Sequence, residues 1–209
     1  MLQVGRDPVT FLNKGIRLHC DKTIDRSVYR GFSKVNSTGL VNSPVVARFS
    51  ASVGSGGSTA WDSKTADEIL ADINAAISAV WKDNDCSGDA LPNHILVPVT
   101  QFGSLVTRKV SDDSERSILT YVLENNLSRQ QGGDLIISPC KWCSSAGSGG
   151  TDRMVVYMNR IDRICFNLTE PLHRRETEYS NMCYKIPYTC QFSEVRFLYP
   201  TTVRYLDGI

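Results

Sequence analysis

Cys140-Lys141-Trp142-Cys143 is the pattern in this chain with the clearest capacity for chemistry. Two cysteines three apart supply half of a tetrahedral zinc site or, at the start of a helix, a redox dithiol. The other half of a zinc site has to come from elsewhere. Cys183 and Cys190 are spaced wrongly for a knuckle, which leaves His94 or His173. The motif leads into a Gly/Ser stretch, Ser144 to Gly150, rather than into a thioredoxin-like helix. Ordinary thiols are the preferred reading, with a thiol or zinc enzyme using Cys140 and Cys143 as an alternative. A hydrolase needs a nucleophile, a base within reach and an orienting group. The histidines number three, His19, His94 and His173, and no G-x-S-x-G elbow occurs. The Gly-rich loops at 54–57 and 147–150 lack the Lys-Ser/Thr of a phosphate cradle and read as flexible connectors. Asp112, Asp113 and Glu115 sit where a helix is expected to start, where carboxylates complement the dipole. His173-Arg174-Arg175-Glu176, the densest basic stretch, reads as a solvated strand end or an ion pair between subunits. No catalytic, cofactor-binding or metal-binding residue is assigned, and no cofactor is expected.

The whole chain has 209 residues, with 23 Lys plus Arg against 22 Asp plus Glu, a net charge of +1. That length fits one domain or two small ones. The balance of charge argues against a sequence-specific nucleic-acid binder and against an electrostatically anchored membrane protein. No run approaches the ~18 apolar residues of a membrane span. Met1 to Pro8 lacks the basic start and apolar core of a secretory signal. The N-x-S/T matches at Asn36, Asn126 and Asn167 are therefore taken as chance. Seven cysteines, an odd number, point to reduced thiols in a cytoplasmic compartment.

The elements that must position these residues form an α+β pattern. Residues 1–30 are weakly helical, with Phe11, Leu12, Ile16, Ile24 and Val28 near helical spacing and Gly5, Pro8 and Gly15 interrupting the start. Val45 to Val53 alternates and predicts a strand. Thr65-Ala66-Asp67-Glu68 has the form of a capping box, followed by Ile69, Leu70, Ile73, Ile77, Val80 and Trp81 on one helical face to about Lys82. His94 to Val99 reads as a short buried strand, Ser114 to Leu127 as a second helix and Leu135 to Ile137 as a strand. Segments 153–158, 161–168, 182–187, 189–192 and 195–198 read as β. Trp61, Trp81 and Trp142 are candidate interface anchors, the core reading being preferred for Trp81.

Several segments, taken together, resemble a known family. Tyr29-Arg30-Gly31-Phe32 followed by Gly39-Leu40-Val41-Asn42-Ser43-Pro44 resembles the "G…GLLN" turn of tailed-phage major capsid proteins. The capped helix from Thr65, then Leu91-Pro92-Asn93-His94-Ile95-Leu96-Val97-Pro98 and Gln101-Phe102, resembles their axial-domain helix and strand. Gly149-Gly150-Thr151-Asp152-Arg153-Met154 and the ending Tyr199 to Ile209 resemble one branch of these proteins. The resemblance implies the Hong Kong 97-type fold. Residues 1–45 would hold the end of the spine helix and the Gly-Leu-Val-Asn turn, part of a peripheral domain. Residues 46–165 would be the axial domain, and 166–209 a β-rich return to the peripheral domain. It implies a phage or prophage shell subunit, made in the host cytoplasm and located in the virion once assembled. Its partners would be copies of itself in capsomer rings and other phage head proteins. An encapsulin-like compartment subunit is the alternative with the same fold. The turn arrives by residue 42, so the resemblance also implies a shortened chain lacking the N-terminal arm, the E-loop and most of the spine helix. It places a Gly/Ser loop, 144–150, near the capsomer axis.

Overall fold

The computed structural model describes residues 8–111 and 114–209. They form two compact units, each built from separate stretches of chain: 41–165 with 197–209, and 8–40 with 166–196. The first joins segments that the expected boundaries at 45 and 165 keep apart.

The larger unit is a five-stranded mixed sheet in the order β1-β11-β4-β2-β3. Its strands are β1 (Arg48–Ser50), β2 (His94–Val97), β3 (Ile136–Pro139), β4 (Arg153–Tyr157) and β11 (Val203–Asp207). β1 runs parallel to β11, and β2 parallel to β3, while β4 runs antiparallel to both β11 and β2. The predicted strand 45–53 contracts to β1, and the strand expected over His94 to Val99 ends at Val97. Pro98 turns the chain there, and Val99–Thr107 forms helix α3, which strand-like apolar residues had hidden. β11 was not predicted as a strand. Val203, Tyr205, Leu206 and Asp207 are all buried, so no alternation marks it.

Helix α2 (Ala66–Lys82) covers one face of this sheet. It starts at the expected capping box: Glu68 N–H donates to Thr65 Oγ1, and Thr65 N–H donates to Glu68 Oε2 at 2.9 Å. Ile69, Ile73, Ala76 and Ile77 then pack with Ile95, Val97, Met154, Val156 and Leu206. Burying such side chains contributes roughly 1.5–3 kcal/mol each, which dominates the stability of this layer. The predicted second helix divides into α4 (Ile118–Asn125) and α5 (Leu127–Gln130). Asn126 is the hinge. Its Nδ2 donates to the carbonyls of Val122 and Leu123, and its Oδ1 accepts from Arg129 N–H at 2.8 Å. This asparagine is fully buried, in keeping with the chance reading of its N-x-S pattern.

The smaller unit contains α1 (Pro8–Arg30), a 23-residue helix that passes straight through Gly15. Its shielded residues include Asn13, Ile16, Cys20, Thr23, Ile24, Ser27 and Val28, while Phe11, Leu12 and Leu18 face outward. Phe11 and Leu12 thus lie off the buried face expected for them. Half the true stripe is polar, so hydrophobic periodicity underrated this helix. α1 ends at Gly31, whose φ of +73° and crowding against Ser37 O leave no room for a side chain. Gly39 lies against the backbone of Tyr29 and Arg30, and Leu40 N–H donates to Val28 O at 2.9 Å. The Tyr-Arg-Gly…Gly-Leu pattern is thus a turn folded back onto the helix end.

The rest of this unit is a kinked hairpin: β6 (Leu168–Arg174) with β9 (Tyr188–Phe192), continued by β7 (Glu178–Ser180) with β8 (Cys183–Lys185). Its register shifts between Leu168 and Glu170 and again before His173. Asn181 and Met182 form the tip, both at positive φ. Two-residue strands β5 (Ile164–Cys165) and β10 (Arg196–Phe197) lie where the chain passes from one unit to the other.

Candidate functional site

The face of the sheet opposite α2 carries a buried polar cluster. Arg153 on β4 and Asp207 on β11 are register partners. Their side chains form a forked ion pair, Nε to Oδ1 at 2.6 Å and Nη2 to Oδ2 at 2.9 Å. Arg153 Nη1 donates to Val41 O at 2.7 Å, and the guanidinium lies 4.3 Å over the Tyr205 ring. Ser43 N–H donates to the Tyr205 hydroxyl at 3.2 Å. Burial pushes the Tyr205 phenol up, opposed by the Ser43 N–H and the Arg153 charge, so it stays protonated.

Three of the segments that carry the family resemblance therefore meet at one arginine. The 149–154 stretch supplies it, the C-terminal stretch supplies its carboxylate, and the Gly-Leu-Val-Asn turn supplies the carbonyl. Single-sequence reasoning missed this cluster because its members are 54 and 112 residues apart. The available signal was an Asp-Arg pair directly after a Gly-rich loop.

Asp207 and Asp152 also anchor that loop. Ser148 N–H donates to Asp207 Oδ2 at 3.0 Å, and Ser145 N–H to Asp152 Oδ1 at 2.9 Å. Gln101 Nε2 reaches Asp152 Oδ2 at 2.8 Å. A side chain at Gly147 would strike Thr151. The 54–58 loop is held too: Gly54 N–H donates to Ser58 O, and Ser55 N–H to Glu68 Oε1 at 2.7 Å. Both Gly/Ser stretches, expected as flexible connectors, are hydrogen-bonded turns, because nearby carboxylates accept their backbone N–H groups.

The candidates for catalysis are dispersed. Cys140 and Cys143 are buried thiols in a 3-10 turn. Hydrogen bonding to Cys140, followed by burial, pushes the Cys143 thiol far up, which disfavours the thiolate that a metal or a nucleophilic reaction needs. No group of three metal-ligating side chains occurs among the described residues. His94 is half-buried on β2, its pKa lowered by desolvation, with Nδ1 2.9 Å from Asn93 Oδ1. His19 and His173 are exposed on separate elements. Arg175 pairs with Glu170 at 2.9 Å within its own hairpin. Asp112 and Asp113 lie outside the described residues, and Glu115 precedes the Ser117 cap of α4.

A cleft of about 560 Å³ opens beside the start of α2. Two of its three cations are engaged: Lys64 with Asp72 inside the core, and Arg108 with the carbonyls of Trp61 and Lys64 at 2.8 and 2.7 Å, while Lys109 also lines it. Trp61 Nε1 also donates to Asp72, at 3.1 Å. Trp61 is thus a core residue, not the interface anchor expected from sequence. Trp81 packs against the core, as preferred. Trp142 is half-buried, with the Lys141 ammonium 4.6 Å from its ring.

A family model for major capsid proteins matches residues 3–209. The chain belongs to the major capsid protein family. This capsid-family chain is similar in structure to the capsid of Myoviridae phage XM1, with a TM-score of 0.80 at 15% identity. The similarity covers 96% of this chain and 65% of that one, so this chain spans just under two thirds of its length. A virus-like particle from Pyrococcus furiosus matches at a TM-score of 0.52 and 13% identity, over 79% of this chain and 57% of that one. The holo-SrpI encapsulin complex from Synechococcus elongatus PCC 7942 matches at 0.54 and 13%, over 100% and 68%. No curated protein sequence matches closely. The α+β architecture is therefore the Hong Kong 97-type capsid fold, and the Arg153 cluster is a structural lock within it. No described helix is long and apolar enough to cross a membrane.

Proposed function

We propose that this chain is a structural subunit of a bacteriophage or prophage capsid shell that acts by self-assembly. The observation that carries the reading is the similarity to the phage XM1 capsid over 96% of the chain. The encapsulin and virus-like-particle likenesses are weaker in TM-score, so a cargo compartment is the lesser reading. In this role the unit 41–165 with 197–209 is the axial domain, the unit holding the hairpin belongs to the peripheral domain, and α1 is part of a spine helix. The subunit carries no catalytic residue, is made in the host cytoplasm and ends in the virion capsid. Its partners are copies of itself and other phage head proteins, not a nucleic-acid sequence or a membrane.

Shell subunits work by repeated contacts that close into rings and then a surface. Two features support such contacts. The anchored 144–150 turn presents small residues that let copies approach closely about a capsomer axis. The β7–β8 hairpin displays Tyr179, Tyr184 and Met182, the last 91% exposed, on a two-stranded ribbon. Such a ribbon is marginal in water and gains from a neighbour that covers it. Purified chain at high concentration is expected to give rings or large particles by light scattering and negative-stain microscopy. A strictly monomeric species across that range would falsify the shell reading.

A further inference from the structure

One stripe of α1 meets one face of β9. Tyr188, Cys190 and Phe192 alternate along β9 and so share a face. Asn13, Cys20 and Ser27 are seven apart on α1 and share a side of the helix. The Tyr188 hydroxyl donates to Asn13 Oδ1. Two helical turns further along, Cys20 and Cys190 are neighbours, the Cys190 thiol near enough to help raise the pKa of Cys20. Two turns further again, Ser27 and Phe192 line one cleft of about 450 Å³. Helix and strand thus meet at two successive places, with a thiol on each side of the second, and then diverge around the cleft.

We infer that Cys20 and Cys190 are a modification site, a thiol pair that a low-molecular-weight disulfide oxidises to an intramolecular cystine stapling α1 to β9. One cysteine sulfur attacks the small disulfide; its S–S bond breaks, a mixed disulfide forms, and one small thiol leaves with the proton. The second cysteine sulfur then attacks the protein-bound sulfur; the mixed S–S bond breaks, the protein S–S bond forms, and the other small thiol leaves with the second proton. Two protein thiols are oxidised and one small disulfide is reduced to two thiols. Cys20 and Cys190 are half-buried residues, whereas Cys140 and Cys143 are buried. Burial, then the Cys190 thiol, push the Cys20 thiol up, so closure is slow, on the scale of minutes to hours. The pair stays reduced in a reducing compartment and closes outside it. This holds whether or not the chain forms shells.

The test is incubation of the purified chain with oxidised glutathione, acid quenching, alkylation and peptide mass mapping. The expected product is a peptide pair linking Cys20 to Cys190, in a chain that remains monomeric on a non-reducing gel. Because the bond joins distant parts of the chain, Tm rises on the order of 5–10 °C and reductant reverses the rise. Cys190→Ser abolishes both link and shift, and Cys20→Ala repeats the result if that variant folds poorly. The inference is overturned if wild-type Cys20 remains fully alkylatable while exposed Cys86 and Cys183 react. It is equally overturned if both members carry glutathione without linking, or if either links to another cysteine.

Discussion

At the scale of single residues, two buried ion pairs, Arg153 with Asp207 and Lys64 with Asp72, join different segments of the chain. Arg153 spends its donors on Asp207 and Val41 O, so the cost of its desolvation is offset only while those partners are present. Arg153→Ala is expected to destabilise by about 3–5 kcal/mol, read as a lower midpoint in urea, because it strands a buried carboxylate. Replacement costing under ~1 kcal/mol would show that water enters the cluster. Glu68 differs because it is only half-buried. Backbone N–H groups of Thr65 and Ser55 lower its pKa to about 2. Its contribution is complete above the ordinary carboxylate range and is lost as pH falls through about 4.5 to 2. Glu68→Gln is expected to be less stable than wild type at neutral pH, with the two urea midpoints converging near pH 2. Parallel curves over that range would refute the assignment. The capping role of Glu68 was legible because its partner lies three residues away. The role of Arg153 was not, since no local pattern announces a partner 54 residues on.

At the scale of elements, the turn closing α1 leaves no slack. A methyl group at Gly39 would lie 2.4 Å from the Tyr29 carbonyl carbon and oxygen, which are backbone and cannot rotate aside. Gly39→Ala is expected to destabilise by about 1–3 kcal/mol, with hydrogen exchange rising first in the last turns of α1. An unchanged exchange pattern would mean that the turn adapts. At the other end of this unit, Met182 sits in the left-handed region, where glycine is favoured. That choice keeps a thioether at the hairpin tip, a flexible apolar contact. The elements readable from sequence were those with a local signature, such as α2 with its box and stripe. α1 was underrated because Asn13, Cys20, Thr23 and Ser27 occupy its shielded side, and α3 because Val99, Phe102, Leu105 and Val106 continue the apolar run of β2.

At the scale of the whole molecule, a net charge of +1 leaves little long-range repulsion or steering between copies. Association is therefore expected to rest on apolar and hydrogen-bonded contacts. Particle yield should change less than about twofold between 0.1 and 1 M salt, measured by sedimentation, since exposed charge pairs are screened over that range. Disassembly at 1 M salt would assign the contacts to charge instead. The family was legible in scattered motifs, whereas the interleaving of the chain was not. The sheet takes its first strand from Arg48–Ser50 and the neighbouring strand from Val203–Asp207. Ser43 must find Tyr205, 162 residues later. At ordinary translation speeds that is a wait of roughly 8–30 s, during which Val41, Val46 and Phe49 have no sheet to join. The N-terminal side of this unit is thus made early and folded late. A growing chain on the ribosome exposes apolar surface until its last strand emerges, which makes this unit a natural client for chaperones that hold nascent chains.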